Sequence, residues 1–185
     1  MSDEMIVRHC SPTLAGLKTA NLFSCPYSNK EELLLFVRDL NQRLSAKGVR
    51  VVPLRVSAHR GLLYLYRPKR LESDFEKEDT AKILKECGYT SQDCSQCLAR
   101  LGKRLREREE FPHEIGLFLG YPPEDVRGFI ENQAEGYKFS GCWKVYGDEQ
   151  KAKKEFDRYK KCTETYCSQW ERGKSIERLT VNARS

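Results

Sequence analysis

The chain has 185 residues, of which 39% are hydrophobic and 32% charged, and its formal net charge at pH 7 is +6. This composition is that of an ordinary globular protein, and the length is sufficient for one domain with a sizeable hydrophobic core. No apolar run approaches the roughly 18 residues that a membrane-spanning helix requires. We therefore predict a single domain over residues 1–185, with no membrane insertion and a polar, partly flexible C-terminal tail at 173–185.

The N-terminus and the cysteines predict where the protein works. The first ten residues, MSDEMIVRHC, have neither the basic leader nor the apolar core of a secretion signal. The eight cysteines are then expected to be reduced thiols, because disulfides rarely persist in a reducing compartment. Basic and acidic residues are interspersed, which is typical of a solvated surface and argues against nucleic acid as the partner. The sequence thus predicts a cytoplasmic protein.

The N-terminal part of the chain predicts a helix followed by a β-hairpin. Residues 1–27 show little periodicity and are interpreted as a segment that lies over the core. A capping-box pattern and an apolar stripe at helical spacing predict a helix over 28–48. The runs Val49–Val56 and Gly61–Arg67 are rich in β-branched and aromatic residues, which predicts a hairpin with Pro53 at an edge or a bulge.

The remainder of the chain mixes helices with short strands. A short apolar run between prolines favours a buried strand, and a second strand is predicted after a helix. The predicted elements are a helix, or two short ones, over 71–87, a helix over 90–110, a strand at Ile115–Leu119, a helix around Val126–Ile130, a strand at Cys142–Tyr146, a long helix from Asp148, and a short strand near Ile176–Val181. The fold class predicted is α/β (mixed α+β), with a small mixed sheet of about four strands packed by five or six helices.

Polar residues at the predicted strands of this second half suggest a ligand pocket. His113 and Glu114 open the first strand, and Trp143, Lys144 and Tyr146 belong to the second. An imidazole in such a place is suited to proton transfer, and an ammonium group is suited to stabilising negative charge. If the site is catalytic, His113 is predicted as the general acid or base and Lys144 as the group that stabilises developing negative charge.

Further cations near apolar segments favour an anionic metabolite as the ligand, although salt bridges on a solvated surface explain them equally well. Lysine and arginine in such positions are the residue types that an anion-binding pocket uses. The predicted ligand-binding residues, besides His113 and Lys144, are Lys18, Asn21, Arg67, Glu114, Trp143 and Tyr146. The chain contains no GxGxxG, P-loop, GxSxG or HExxH motif, so the sequence leaves open whether the protein is an enzyme.

The cysteines supply an alternative hypothesis, an iron or thiol-redox accessory protein. Cys94 and Cys97 form a CxxC pair, but both lie on the apolar stripe of a predicted helix, which favours packing in the core. Other thiols, together with one imidazole, lie near predicted loops or element ends and are the candidate metal ligands: Cys10, Cys25, Cys142 and His113. Iron is the metal that this alternative would involve.

A third hypothesis is an interaction module that binds protein or RNA. Two basic clusters, Arg67–Arg70 and Lys103–Arg108, would supply the contacts. Both clusters are short and flanked by acidic residues, so a solvated surface explains them equally well.

Four separated blocks of the chain carry a resemblance to a known family. They are PTLAGLKTANLF at 12–23, LLYLYRP at 62–68, FPHEIGLFLGYPPEDVRGFI at 111–130 and GCWKVYGD at 141–148. In this order they resemble an uncharacterised domain-of-unknown-function family of anaerobic clostridia-type (Firmicute) bacteria, over nearly the whole chain. The resemblance implies no mechanism, although it implies a link to iron or redox physiology. The blocks include His113 and Lys144 but not Cys94 or Cys97.

Overall fold

The structure is a computed structural model that describes residues 2–91, 93–107 and 110–182. It divides into two compact units. The first unit contains the chain up to Arg70 and from Lys161 onward, and the second unit contains Leu71–Lys160. Arg108 of the predicted basic cluster and residues 183–185 of the predicted tail lie outside the described residues.

The first unit is built on a three-stranded antiparallel sheet. Its elements are α1 (Asp3–Leu14), β1 (Ala20–Pro26), α2 (Lys30–Leu44), β2 (Arg50–Ser57), β3 (Arg60–Tyr66) and α9 (Ile176–Leu179). The strand order is β1-β3-β2. The central strand, β3, is also the most apolar of the three. Apolar side chains of both long helices, all three strands and α9 share one hydrophobic core. Burial of this common core is the main force that holds the unit together.

Two predictions for this unit are confirmed. The hairpin formed by β2 and β3 is present, and β2 is an edge strand whose register shifts between Pro53 and Arg55. Proline has no backbone N–H to donate, which is why an edge or a bulge accommodates it. The helix predicted over 28–48 is α2 followed by a 3₁₀ turn, and it ends at Gly48, whose φ of 72° is in the left-handed region that favours glycine.

Two other predictions for this unit are wrong. Residues 1–27 are not an irregular covering segment, because they form α1 and β1. The buried residues of α1 include Pro12 and its polar neighbours Ser11 and Thr13, so its buried face is not a simple apolar stripe. The strand near 176–181 is instead the short helix α9, closed by a hydrogen bond from the Thr180 N–H to the Ile176 carbonyl.

A buried guanidinium joins three separate segments of the first unit. Arg67 is only 4% exposed, and burial lowers its pKa from the usual range. It donates hydrogen bonds to the carbonyl oxygens of Thr13 at 2.7 Å, Leu14 at 2.7 Å, Val181 at 2.9 Å and Lys47 at 3.3 Å. The end of α1, the turn after α2 and the C-terminal segment therefore share one cation.

We expect Arg67→Met to lower the free energy of unfolding by about 3 kcal/mol or more, because several buried carbonyls lose a charged donor. Urea unfolding followed by circular dichroism measures the change. Arg70→Met is the matched control, since Arg70 is exposed and its guanidinium donates to the Gly16 carbonyl. Equal stability of the two variants would contradict a structural role for Arg67.

An ion cluster joins three helices of the same unit. Arg43 of α2 contacts Asp3 of α1 and Glu177 of α9, and its Nη1 lies 2.8 Å from Asp39. The hydrogen bond from Arg43 lowers the pKa of Glu177 from 4.5 to about 2.

The pKa of Glu177 predicts a specific dependence of stability on pH. A carboxylate whose pKa is lower in the folded state stabilises the fold above about pH 4.5, and this contribution is lost as the pH falls toward 2. We expect Glu177→Gln to lose at most about 1 kcal/mol at pH 7, because the pair is partly exposed. Melting temperatures between pH 7 and 2 measure the effect, and the variant's curve should be flatter than the parent's below pH 4.5. Parallel curves, as expected for the control Glu164→Gln, would contradict the prediction.

The second unit consists mainly of helices and one small hairpin. Its elements are α3 (Pro68–Phe75), which begins in the first unit, α4 (Glu78–Glu86), α5 (Cys94–Glu107), α6 (Ile115–Phe118), α7 (Pro123–Glu131), β4 (Phe139–Ser140), β5 (Lys144–Val145) and α8 (Glu149–Glu171), which continues into the first unit. The helices predicted at 90–110 and from Asp148 are confirmed as α5 and α8. Asp93 caps α5 by accepting from the Ser95 and Gln96 N–H groups, and Asp148 accepts from the Lys151 N–H.

The strand predicted at Ile115–Leu119 is wrong, because this run forms the short helix α6. The Leu119 N–H donates to the Ile115 carbonyl at 3.1 Å, and the Tyr121 N–H donates to the Gly116 carbonyl at 2.9 Å. A short apolar run has no periodicity that separates a buried strand from a buried helical turn. Close packing is decisive here: a Cβ at Gly116 would lie 2.7 Å from the Val126 side chain, so only glycine lets α6 approach α7 this closely.

The predicted fold class is confirmed as mixed α/β, but the predicted single mixed sheet is wrong. Within the described residues, the strands form one three-stranded and one two-stranded sheet. Both sheets are antiparallel. The two runs interpreted as additional strands, at 115–119 and 176–181, are helical.

Candidate functional site

A pocket of about 310 Å³ lies within the second unit. Most of its walls are aromatic or aliphatic. The lining residues are Phe111, Pro112, His113, Ile115, Gly116, Tyr121, Asp125, Val126, Phe129, Ser140, Gly141, Trp143 and Lys144. They come from the segment before α6, from α6 and α7, and from the hairpin of β4 and β5. Apolar walls with a few polar groups are typical of small-molecule sites.

Two stacked aromatic rings form one wall of the pocket. The rings of Tyr121 and Trp143 stack with their centroids 4.7 Å apart, and Phe156 of α8 meets Trp143 edge to face at 4.5 Å. Burial raises the pKa of Tyr121 to about 12, so its hydroxyl stays protonated at neutral pH. This hydroxyl donates to the Cys142 carbonyl at 3.2 Å. The wall is therefore held by ring contacts and by a hydrogen bond to the hairpin.

A buried carboxylate fixes the position of Trp143. Asp125 is 3% exposed, and its Oδ2 accepts a hydrogen bond from the Trp143 indole N–H at 2.7 Å. Its Oδ1 accepts from the backbone N–H groups of Tyr146 and Gly147, both at 2.8 Å. Three donors satisfy this carboxylate, so its role is to position the hairpin against α7.

Two nitrogen-bearing side chains contact Phe129 at the pocket. The exposed ring of His113 meets Phe129 edge to face, with centroids 5.0 Å apart. The Lys144 Nζ lies 5.9 Å from the Phe129 ring centroid and 4.6 Å from that of Tyr137. The structure thus brings His113 and Lys144, the two residues predicted as catalytic, to one pocket together with Trp143.

Lys144 is held by a turn with unusual backbone angles. Its Nζ donates to the Ala134 carbonyl at 2.7 Å. Ala134 has a φ of 66° and its neighbour Gln133 a φ of 49°, and both angles are costly for residues other than glycine. An ammonium group has three donors, and this bond uses one of them. The lysine can therefore hold the turn and still bind a ligand.

The chain also matches a family model. The family is described as a protein of unknown function, DUF3793, and its model matches residues 6–180. The chain belongs to this family. No curated protein and no solved structure matches it. The resemblance stated from the four sequence blocks is therefore confirmed at the level of a DUF3793 protein, whereas the bacterial group stays a prediction.

The predicted site residues Lys18, Asn21 and Arg67 belong to the first unit of this DUF3793 chain. Arg67 is occupied by backbone carbonyls, as described above. Lys18 is buried, and the Asn21 side-chain oxygen accepts a hydrogen bond from the Thr13 hydroxyl at 2.7 Å. All the residues that line the pocket belong to the second unit, so these three are not among them.

Glu114 and Tyr146 belong to the second unit but do not line its pocket. Glu114 is 2% exposed and accepts from the Tyr89 hydroxyl at 2.9 Å, and Arg104 pairs with it at 2.9 Å. Its neighbour His113, in contrast, is exposed and lines the pocket. The Tyr146 ring packs against Gly128, where a Cβ would lie 2.4 Å from it, and this contact seats β5 on α7.

The candidate metal ligands of the DUF3793 chain are distributed over both units. Cys10 and Cys25 are buried in the first unit, and burial raises the pKa of both thiols. Cys142 is exposed in the second unit. Over residues 2–91, 93–107 and 110–182, no group of three or more His, Cys, Asp or Glu side chains is arranged to hold a metal ion.

The CxxC pair is partly buried at the beginning of α5. Cys97 is 2% exposed, and burial raises the pKa of Cys94 to about 12. A thiol in this state is a weak nucleophile at neutral pH, since the thiolate is the reactive form.

In the part of the chain that the structure describes, no helix combines the length and the apolar character needed to cross a lipid bilayer.

Sequence reasoning missed Tyr121 and Asp125, which shape the pocket. Tyr121 precedes the pair Pro122 and Pro123, which marks the beginning of α7, and Asp125 lies two residues after this pair. A carboxylate in the first turn of a helix is usually explained by the helix dipole, so its bond to Trp143 has no signature of its own in the sequence.

We expect Asp125→Asn to lower the free energy of unfolding by about 1–3 kcal/mol, because the amide cannot accept from all three donors. The variant should also change the emission of Trp143, measured in a Trp170→Phe background that leaves Trp143 as the remaining one of two tryptophans. Glu124→Gln is the control, since Glu124 is an exposed neighbour. Unchanged stability and emission would contradict the positioning role of Asp125.

Proposed function

We propose that the pocket of the second unit binds a small anionic metabolite with a mainly apolar body. One observation carries the proposal: Lys144 and His113 lie at the same apolar, aromatic pocket, and both contact the Phe129 ring. The apolar walls would bury the body of the ligand, and the two nitrogen-bearing side chains would bind its charged group.

The electrostatics of the pocket favour a negative charge on the ligand. Lys144 stands among aromatic rings, where water screens its charge less than at an open surface. Asp125 is the acidic residue of the lining, and its charge is already stabilised by three hydrogen-bond donors. A ligand anion would therefore be attracted by Lys144 without having to displace Asp125 from an ion pair.

The same arrangement would support chemistry on the bound ligand. His113 is exposed at the pocket and would act as the general acid or base, while Lys144 would stabilise developing negative charge. Binding is the part of the proposal that the geometry supports best. The iron or thiol-redox role, the interaction module and the cytoplasmic location stay predictions, with no arrangement of the described residues in their favour.

A fluorescent anion with an apolar body, 8-anilinonaphthalene-1-sulfonate, tests the proposal. We expect binding of one molecule per chain, with a Kd about tenfold higher for Lys144→Met, which loses a charged contact worth about 1.4 kcal/mol, and about fivefold higher for His113→Ala, which loses a polar contact worth about 1 kcal/mol. Titration of the probe's fluorescence measures both values.

The chain offers a matched control for each variant. Lys153 lies over the Phe139 ring at 4.6 Å, as Lys144 lies over Tyr137, but it does not line the pocket. His9 stacks on Phe23 and is exposed, as His113 is. Lys153→Met and His9→Ala should leave the Kd unchanged. Equal effects of control and pocket variants, or no saturable binding, would overturn the proposal.

A further inference from the structure

We infer that the ligand of this pocket is a planar aromatic carboxylate of one or two rings. This inference rests on the proposed function and adds the chemical class of the ligand. Three features of the pocket support it: its volume, the aromatic rings that line it, and the kind of anion that its polar groups can bind.

The size of the pocket limits the ligand to a small molecule. Its volume of about 310 Å³ is at the lower end of the roughly 300–1,000 Å³ found for small-molecule sites. A molecule with one or two rings suits this volume, whereas a dinucleotide or an extended chain would exceed it.

The walls favour a flat, aromatic body. Tyr121 and Trp143 form one stacked pair, and Phe129 contributes a third ring to the same lining. Aromatic rings gain energy from offset-stacked or edge-to-face contacts beyond the burial of area, by about 0.5–1.5 kcal/mol per pair. A saturated ring of the same size would bury similar area but would not gain this energy.

The polar groups favour a carboxylate over a phosphate. Phosphate sites commonly use the backbone N–H groups at the beginning of a helix. Of the two helices at this pocket, α7 has Pro122 as its N-cap and Pro123 as its first residue, and proline has no N–H to offer. Glu124 and Asp125 follow in its first turn, and they would oppose a doubly charged group more strongly than a singly charged one.

The position of Lys144 indicates where the carboxylate would bind. The Lys144 ammonium, held at the Ala134 carbonyl, and the His113 ring both contact Phe129. The carboxylate would accept hydrogen bonds on this side, and the ring of the ligand would lie toward Tyr121 and Trp143. One negative charge matches the single ammonium of the lining.

Isothermal titration calorimetry with matched pairs of compounds tests the class. We expect benzoate to bind several times more tightly than cyclohexanecarboxylate. We expect 2-naphthoate to bind about tenfold more tightly than either 2-naphthamide or 2-naphthyl phosphate, because the difference amounts to about one polar contact with the pocket. Equal binding of benzoate and its saturated analogue would overturn the aromatic class. Tighter binding of the amide or the phosphate would overturn the carboxylate.

A variant of the wall tests the same inference within the protein. Phe129→Leu should lower the preference for benzoate over cyclohexanecarboxylate, because one of the three aromatic rings named above is lost, whereas Phe139→Leu, in a ring outside the lining, should keep it. A preference ratio that Phe129→Leu leaves unchanged would contradict the role of this ring. Tyr121→Leu serves as the second variant if Phe129→Leu does not fold.

The two proposals fail in different ways. If 8-anilinonaphthalene-1-sulfonate binds with the expected dependence on Lys144 but the matched pairs show no preference, the anion pocket stands and the aromatic carboxylate is wrong. If neither the probe nor any of the carboxylates binds, the pocket proposal itself is wrong.

Discussion

In the second unit, the carboxylate of Asp125 joins a helix to a hairpin that is too short to fold alone. The hairpin of β4 and β5 pairs only two residues on each strand, and isolated hairpins are at best marginally stable. Asp125 accepts from the Trp143 indole and from the N–H groups of Tyr146 and Gly147, so it fixes both the side chain and the backbone beyond β5. The aromatic wall of the pocket depends on this one buried charge. Glycines at the contact of α7 with the hairpin then allow the close approach that the bonds require.

The first unit uses a buried charge of the opposite sign in the same way. Arg67 was a reasonable candidate for anion binding from sequence, because a cation next to an apolar strand suits that purpose. Its guanidinium instead donates hydrogen bonds to backbone carbonyls of three segments. A sequence shows that a charge lies near apolar residues, but it does not show whether a ligand or the protein's own backbone compensates that charge. Only the fold distinguishes Arg67 from Lys144.

The elements that could be predicted from the sequence are those with a strong local sequence pattern. The helix α2 and the hairpin of β2 and β3 were predictable, since each has its own periodicity and its own turn residues. The helix α6 was not, because its apolar run is only one turn long and its conformation is determined by packing on α7. At the site, the grouping of His113, Trp143 and Lys144 was predicted even though the first strand of that prediction was wrong. Each of these residues adjoins a short apolar segment, and the core brings such segments together whatever their secondary structure.

The contact between Lys144 and Ala134 would prepare the proposed binding site. The hydrogen bond from Lys144 to Ala134 stabilises a turn in which two successive residues have positive φ. The same bond holds the ammonium group among aromatic rings. A long lysine side chain normally loses considerable conformational entropy when it binds a ligand. Here much of that entropy is already lost in the unliganded fold, so a ligand anion would gain the full attraction of an ordered, weakly screened charge. His113 is exposed and meets the Phe129 ring edge to face, and a bound ligand would order it further.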